Sequence, residues 1–377
     1  MHILFAAGGT AGHVNPAIAV ANTIKEYHPA AVISFIGNKN GIEETLCKKA
    51  GFNFYPIEAA GFKRKISFNN IKHNISAAYK MFNSSKQAEI ILKSIKPDVV
   101  VGMGGYVSGP VLRKAYKMGI KTCIHESNAY PGVATKMLCS HVDEVMLGME
   151  DAKKQLSNKR KYIFTGNPVR QEIVNTSKQN AKKDLSLDDR LLILSTGGSQ
   201  GARSINNAVC ELTEWNIKNK KDIIQFHAYG KFDNGVMEYK LKQKGINIKK
   251  TENLFISEYI YNMDKILAAA DIVIARAGTG TLCEITAAGK PSILIPYPHA
   301  AENHQYYNAM TLVNAGAAVI IKDEELTGER LKTEIIKIIE DKEKMLLMGK
   351  KAKEMAVFDA NNRIYNVIMK LYRERKA

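Results

Sequence analysis

One short pattern occurs twice in this chain. Near the start, His2-Ile3-Leu4-Phe5-Ala6-Ala7 runs into Gly8-Gly9-Thr10-Ala11-Gly12. Mid-chain, Leu191-Leu192-Ile193-Leu194-Ser195-Thr196 runs into Gly197-Gly198-Ser199-Gln200-Gly201. Each is a buried-type strand, a glycine turn with a hydroxyl residue, then a helix. One such turn is weak evidence of a phosphate or nucleotide site. Two, one opening each half, point to two α/β domains with a ligand between them.

The 377 residues are enough for two domains, each with a sizeable core. No segment reaches the roughly 18 apolar residues that span a bilayer. No basic region precedes the first apolar run, and glycines break that run at once. This predicts no signal peptide and a cytoplasmic protein. The five cysteines, Cys47, Cys123, Cys139, Cys210 and Cys283, are scattered without metal-ligand spacing, and read as reduced thiols. The net charge of +17 implies an anionic partner: nucleic acid, an acidic membrane surface or phosphorylated substrates. No zinc finger, aromatic RNA-binding signature or long basic tail is present, which argues against nucleic acid.

Strand and helix patterns alternate in both halves. Strands are expected at His2 to Ala7, Ala31 to Ile36, Phe54 to Ile57, Asp98 to Gly102, Thr122 to His125, Val145-Met146 and Tyr162 to Thr165. Helices are expected at Asn15 to Tyr27, Glu43 to Ala50, Pro110 to Met118 and, largely, Asn69 to Ile95. In the second half, strands fall at Arg190 to Thr196, Ile223 to Tyr229, Leu254 to Ile256, Ile272 to Ala275 and Ser292 to Ile295. Helices fall at Ser204 to Glu211, Met263 to Ala270 and Leu282 to Gly289, with a last helix near Val357 to Arg373. Such alternation predicts parallel sheets covered on both faces. The polar stretch Gly166 to Asp189 marks the expected domain boundary.

Several motifs carry chemistry. Gly8 to Gly12 lets a ligand approach the backbone at a helix N-terminus. It is neither Gly-x-Gly-x-x-Gly nor a Walker loop, which disfavours a nicotinamide cofactor. A plain βα turn is the competing reading. His13, at the mouth of the turn, can act as a general base near neutral pH, or merely cap the helix. Gly197 to Ala202 can offer amides and the Ser199 hydroxyl to a phosphate. Met103-Gly104-Gly105-Tyr106-Val107-Ser108-Gly109-Pro110 offers a backbone surface to a bulky acceptor. His125-Glu126-Ser127-Asn128 groups an imidazole, a carboxylate and an amide without the second histidine of a zinc motif, and reads as a substrate-binding group or as residues that fix one another by hydrogen bonds. Arg170 in Gly166-Asn167-Pro168-Val169-Arg170 can pair with a phosphate or form a structural salt bridge. Glu284, after Arg276-Ala277-Gly278-Thr279-Gly280-Thr281-Leu282-Cys283, can accept from ribose hydroxyls or simply favour the helix N-terminus. His299 to Gln305 is a polar loop suited to sugar hydroxyls.

Together, from Gly8 to Gln305, these motifs fall in an order that resembles the MurG family of UDP-N-acetylglucosamine glycosyltransferases of bacterial peptidoglycan synthesis. Ala11 stands where many members have glycine, and Ala275 to Gly280 varies around the family's Arg-Ser/Ala-Gly-Ala pattern. The resemblance implies a GT-B fold: two Rossmann-like parallel-sheet domains facing across a cleft. The first would span residues 1–166, joined by a C-terminal helix at about 355–377, and the second residues 167–354. It implies an inverting transfer of N-acetylglucosamine from UDP-N-acetylglucosamine to the C4 hydroxyl of lipid I, giving lipid II and UDP. His13 is the implied base and Glu126 the second choice. Arg170 and Ser199 would lie near the nucleotide and phosphates, and Ile260 would meet the uracil through its backbone. Thr279, Gly280, Thr281, Leu282 and Cys283 would wrap the diphosphate and ribose. Glu284 would hold the ribose hydroxyls and Gln305 the hexose. Thr10, Ala11, Gly12 and Asn128 would approach the sugar. Gly104, Gly105 and Tyr106 would face the acceptor. The chain has no Asp-x-Asp, in keeping with a reaction that needs no metal or cofactor.

The acceptor would account for the charge. Phe62-Lys63-Arg64-Lys65-Ile66-Ser67-Phe68, Ile71-Lys72-His73, Ile75 and Tyr79-Lys80-Met81-Phe82 interleave basic and apolar residues, as suits an anionic bilayer surface. An ordinary amphipathic helix with solvated lysines is the alternative. The resemblance further implies a peripheral place on the cytoplasmic face of the inner membrane. It also implies a part in cell-wall biogenesis, cell shape, division and cell cycle, with cell-wall synthesis and division proteins as partners. Two other readings stay open: a related GT-B enzyme with a soluble or glycolipid acceptor, and a non-catalytic nucleotide-sugar sensor.

Overall fold

The structure, a computed structural model, describes residues 1–59, 83–157 and 160–376. The basic and apolar segment at 62–82 lies outside the described residues. The chain divides into two compact units, Met1–Pro168 with Asp359–Ala377, and Val169–Phe358.

The first unit holds a seven-stranded sheet. Its strands are β1 (His2–Ala6), β2 (Val32–Asn38), β3 (Asn53–Ile57), β4 (Val99–Gly102), β5 (Lys121–Glu126), β6 (Glu144–Leu147) and β7 (Ile163–Phe164). Their spatial order is β3-β2-β1-β4-β5-β6-β7, every pairing parallel. The helices are α1 (Ala11–Tyr27), α2 (Ile42–Lys49), α3 (residues 83–95), α4 (Ser108–Lys117), α5 (Val133–Leu138) and, from the far end of the chain, α15 (Ala360–Lys376). Side chains alternate across a strand. Ile3 and Phe5 therefore enter one core with Val14, Ala17, Ala21 and Ile24 of α1. Leu4 and Ala6 enter a second core with Val107, Val111 and Leu112. Burial on both faces explains why β1 is apolar without alternation. Ile364, Val367, Ile368 and Leu371 of α15 complete the α1 core.

The second unit repeats the plan. Its strands are β8 (Leu192–Thr196), β9 (Ile224–Ala228), β10 (Leu254–Ser257), β11 (Ile272–Ala275), β12 (Ser292–Leu294) and β13 (Ala318–Ile320). They lie in the order β10-β9-β8-β11-β12-β13, again all parallel. The helices are α6 (Gln171–Asn175), α7 (Lys178–Asp184), α8 (Arg203–Lys218), α9 (Val236–Gln243), α10 (Met263–Ala269), α11 (Thr279–Ala288), α12 (His304–Asn314), α13 (Gly328–Ile339) and α14 (Lys342–Glu354). Ile193, Ile272 and Ile274 pack on Ile205, Val209 and Leu212 of α8 and on Ile335 and Ile338 of α13.

Several element bounds differ from the sequence expectation. Helix α1 starts at Ala11, not Asn15, because extended Thr10 already occupies the cap and Pro16 sits inside the helix. Pro16 lacks an N–H, so one helical bond to Gly12 is missing near the start. Helix α11 starts at Thr279, not Leu282: the extended Gly278 caps it, and weak helix formers fill its first turn. Helix α8 runs on to Lys218 because Leu212, Thr213 and Asn216 are also buried. The polar stretch after Gly166 folds into α6 and α7, short helices on the second unit.

Candidate functional site

In each unit, chain order along the sheet reverses at one place: between β1 and β4, and between β8 and β11. Ligands of open α/β sheets bind outside the carboxyl ends of strands at such points. The loops after these four strands carry the glycine turn at Gly8, the Gly104-Gly105 loop, the glycine turn at Gly197 and the turn before α11.

In the first unit the two loops interlock. Ser108 Oγ donates toward Ala6 O (2.9 Å) and Gly104 O (2.8 Å). A β carbon on Gly105, where φ is +79°, would stand 2.1 Å from Gly8 O. One on Gly104, where φ is +104°, would stand 2.6 Å from His13 Cδ2 and 2.9 Å from Nε2. Only glycine lets this loop lie against the imidazole. His13 stands in the first turn of α1, partly exposed. Its Nδ1 lies 3.0 Å from Gly8 O and 3.2 Å from Thr10 Oγ1. A carbonyl can only accept, so Nδ1 carries the proton and neutral His13 keeps its lone pair on Nε2. Tyr106 lies against Gly9, and its hydroxyl is 3.5 Å from Asn38 Nδ2. Burial, and next the Glu43 carboxylate, push the Tyr106 phenol up.

The His125-Glu126-Ser127-Asn128 group is largely internal. Glu126 is buried and accepts four hydrogen bonds. Oε1 receives Asn128 N and Nδ2 (3.0 Å each), and Oε2 receives Gly132 N (2.9 Å) and Thr135 Oγ1 (2.6 Å). The carboxylate thus ties down the 127–132 loop that presents Asn128. His125 is buried, which lowers its pKa, and its Nε2 donates to Gly166 O at 3.0 Å. Beside it, Asn167 Nδ2 donates to Ser127 O at 3.0 Å.

In the second unit, Gly198 (φ +86°) and Gly201 (φ +85°) shape the turn after β8. Gly198 N donates to Thr196 Oγ1 (3.1 Å), while Ser199 O and Gln200 O receive Lys231 N and Phe232 N (3.2 Å each). Ser199 and Gln200 themselves are exposed. Thr279, Gly280 and Thr281 form the first turn of α11, where amide N–H groups lack intrahelical acceptors and favour an anion. Leu282 is buried and Cys283 partly so. Glu284 follows, and its Oε1 accepts from Arg170 Nε and Nη2, each at 2.8 Å. Burial raises the Glu284 pKa, and Arg170 opposes that shift. Arg170 is therefore paired with the carboxylate here, leaving Glu284 Oε2 outside the contact. Gln305 Oε1 accepts from Tyr297 N (2.9 Å), which leaves its amide N–H groups as donors. Ile260 is buried, anchoring the loop between exposed Tyr259 and Tyr261.

Three further residues support these loops: Arg276, quoted in the motif before α11 but given no role there, and Asn308 and Glu43, which the sequence did not single out. Arg276 donates to Ser204 Oγ (3.1 Å) and to the carbonyls of Ile295 and Pro296 (3.2 Å each), and pairs with Asp323. Asn308, fully buried, reaches Ala277 O at 3.3 Å. Glu43, 1% exposed, accepts from Asn38 N (2.9 Å) and Gly9 N (3.4 Å). Neither Asn308 nor Glu43 belongs to a motif of fixed spacing, so only a buried polar residue beside a glycine turn could have flagged them. Among the described residues, no group of three or more His, Cys, Asp or Glu could hold a metal ion, and no helix is long and apolar enough to cross a membrane.

The chain matches the glycosyltransferase family 28 N-terminal domain over residues 3–147 and the family 28 C-terminal domain over residues 192–364. It is 40% identical, over the full length of both chains, to the UDP-N-acetylglucosamine--N-acetylmuramyl-(pentapeptide) pyrophosphoryl-undecaprenol N-acetylglucosamine transferase of Acetivibrio thermocellus. It is 42% identical to the same-named transferase of Clostridioides difficile, covering 99% of this chain and 89% of that one. Among solved structures it resembles Acinetobacter baumannii MurG, with a TM-score of 0.77 and 26% identity over 98% and 99% of the two chains.

Proposed function

The chain belongs to glycosyltransferase family 28, among its UDP-N-acetylglucosamine-dependent undecaprenol-pyrophosphoryl-muramyl-pentapeptide transferases, and on that premise we propose that it converts lipid I to lipid II. N-acetylglucosamine moves from UDP-N-acetylglucosamine to the C4 hydroxyl of the muramyl sugar in one displacement with inversion. The observation that carries the mechanism is the anchoring of His13 Nδ1 on Gly8 O, which leaves Nε2 as the basic nitrogen. Nε2 takes the C4 hydroxyl proton as that oxygen bonds to the anomeric carbon. The bond from that carbon to the diphosphate oxygen breaks, and UDP leaves with the electron pair.

The leaving diphosphate gathers negative charge. The open amides of α11 at Thr279, Gly280 and Thr281 suit that charge, as does the Ser199 turn. Glu284 accepts from the ribose hydroxyls while Arg170 offsets its charge. Gln305 donates to hexose hydroxyls, and the backbone at Ile260 reads the uracil. Thr10, Ala11, Gly12 and Asn128 contact the transferred sugar. Gly104, Gly105 and Tyr106 receive the acceptor. Glu126 acts by holding the Asn128 loop. The net charge of +17 suits a pyrophosphate-bearing lipid and the anionic inner-membrane surface on whose cytoplasmic face the protein would work. That place fits a role in cell-wall growth, shape and division.

A transfer assay with UDP-N-acetylglucosamine, offering lipid I and soluble muramyl acceptors in parallel, tests the reading. Product on lipid I supports it. Transfer only to soluble acceptors, or none, overturns the substrate assignment. Full turnover by His13→Ala would remove His13 as the base.

A further inference from the structure

Glu43 is the second residue of α2 and almost wholly buried. Its side chain fills space that three glycines leave open. A β carbon would lie 2.9 Å from its Oε1 at Gly8, 2.7 Å from its Cγ at Gly37 and 2.5 Å from its Cδ at Gly41. A carboxylate taken out of water costs several kcal/mol unless it is compensated. Its place in the first turn of α2 offsets some of that cost. The hydrogen bonds to Oε1 come from the backbone N–H groups of Asn38 and Gly9. Three glycines and a buried charge are more than one helix cap requires.

The Gly9 bond is the informative one. Gly9 N–H and Gly8 C=O belong to a single peptide unit. The N–H donates to Glu43 Oε1 (3.4 Å), and the C=O accepts from His13 Nδ1 (3.0 Å). We propose that Glu43 is a positioning residue for His13, acting through the Gly8–Gly9 peptide. It fixes that peptide's orientation, and its negative charge makes the carbonyl a stronger acceptor. The imidazolium formed when Nε2 takes the hydroxyl proton is thereby stabilised. The inference rests on His13 being the base. Among the described residues, the titratable groups that face this turn from packed elements include Glu43 from α2 and the Tyr106 phenol from the loop after β4. The first turn of α1 carries no acidic residue.

The test is the pH profile of transfer by Glu43→Gln, whose amide oxygen still accepts both N–H bonds. We expect kcat to fall about tenfold and the acidic limb of kcat/KM to move to lower pH by about half a unit, since the imidazolium loses a nearby negative charge. KM for UDP-N-acetylglucosamine should stay the same, and Glu43→Asp should recover part of kcat. A merely structural Glu43 would change thermal stability and leave the limb in place. Should Glu43→Gln not fold, 15N NMR of His13 in the unaltered chain decides. A neutral ring protonated on Nδ1 agrees with the relay, and one protonated on Nε2 overturns it. If His13→Ala turns over normally, the base assignment itself falls. If His13→Ala is inactive but Glu43→Gln keeps the wild-type kcat and limb, only the relay falls.

Discussion

The two glycine turns share a beginning and then part. Gly9 and Gly198 adopt nearly the same backbone, with φ of +87° and +86°. After Thr10 the first turn enters α1 at once, and its third glycine, Gly12, is already helical. After Ser199 the second turn takes another left-handed glycine, Gly201, and delays α8 to Arg203. The surroundings differ more. Tyr106, Gly105 and Gly104 press on Gly9, Gly8 and His13, whereas a β carbon on Gly198 would meet nothing within 4 Å. One turn is packed from above and holds a side chain in one orientation. The other is open at Gly198, while its Gly201 packs against the Tyr229–Gly230 backbone, where a β carbon would stand 2.1 Å from Tyr229 O. Crowding suits a group that must move a proton at one atom, and openness suits a ligand that enters and leaves.

The strongest way to break this contrast is His13→Ala. It should lower kcat by about 10²- to 10⁴-fold and leave KM for UDP-N-acetylglucosamine within about twofold, as steady-state kinetics would show. Equal losses in binding and turnover would mean that the first turn also serves the donor. Next is a buried histidine of the second unit, His227 on β9. It is fully buried, with Nδ1 2.8 Å from Ser195 Oγ and Nε2 3.2 Å from Asn206 Oδ1. Burial holds its pKa down to about 4. The folded state thus binds its proton less readily than the unfolded chain. His227 contributes stability above about pH 6.5, and that contribution is lost as pH falls through about 4. The full loss amounts to about 3 kcal/mol. Urea unfolding at neutral and acid pH should show a smaller pH dependence for His227→Gln; an unchanged slope would place the acid lability elsewhere.

On the proposed ribose contact, Glu284→Gln should weaken UDP-N-acetylglucosamine binding about tenfold by calorimetry, because a neutral amide replaces the carboxylate and leaves the Arg170 charge without its counter-ion. Undiminished affinity would leave the Arg170–Glu284 pair a structural contact. The smallest effect concerns the glycines themselves. Gly198→Ala should cost about 1 kcal/mol, from backbone conformation alone. Gly9→Ala should cost more, since the added carbon would also stand 3.2 Å from the Tyr106 ring. Equal melting temperatures for the two variants would deny the difference in crowding.

How much of this was legible beforehand follows from what each residue does. Strands buried on both faces announce themselves as apolar runs, so β1, β4, β8 and β11 could be read directly. The turns could be read because a positive φ calls for glycine at Gly9 and Gly198. Helix starts were harder. Thr279 to Thr281 are poor helix formers, and their helical state follows from the Gly278 cap and from packing. The pairing of Arg170 with Glu284 joins residues 114 apart in sequence, and no local pattern encodes it. Glu126 stood in the sequence as the second choice of base, and its four donors, on Asn128, Gly132 and Thr135, become visible only once the loop closes. Glu43 was hidden for a similar reason: its cradle is assembled from Gly8, Gly37 and Gly41, which come together only in the folded unit.

Helix α15 bears on how the protein is made. Its apolar face completes the core against α1, yet it is translated only after the whole second unit. During synthesis the first unit therefore waits, with Ile24 and its neighbours short of their final cover, while the whole second unit emerges and can fold as a contiguous stretch. The half that begins first finishes last, so a ribosome stalled before Asp359 would release a nascent chain with one finished unit and one exposed hydrophobic face, a natural client for chaperones.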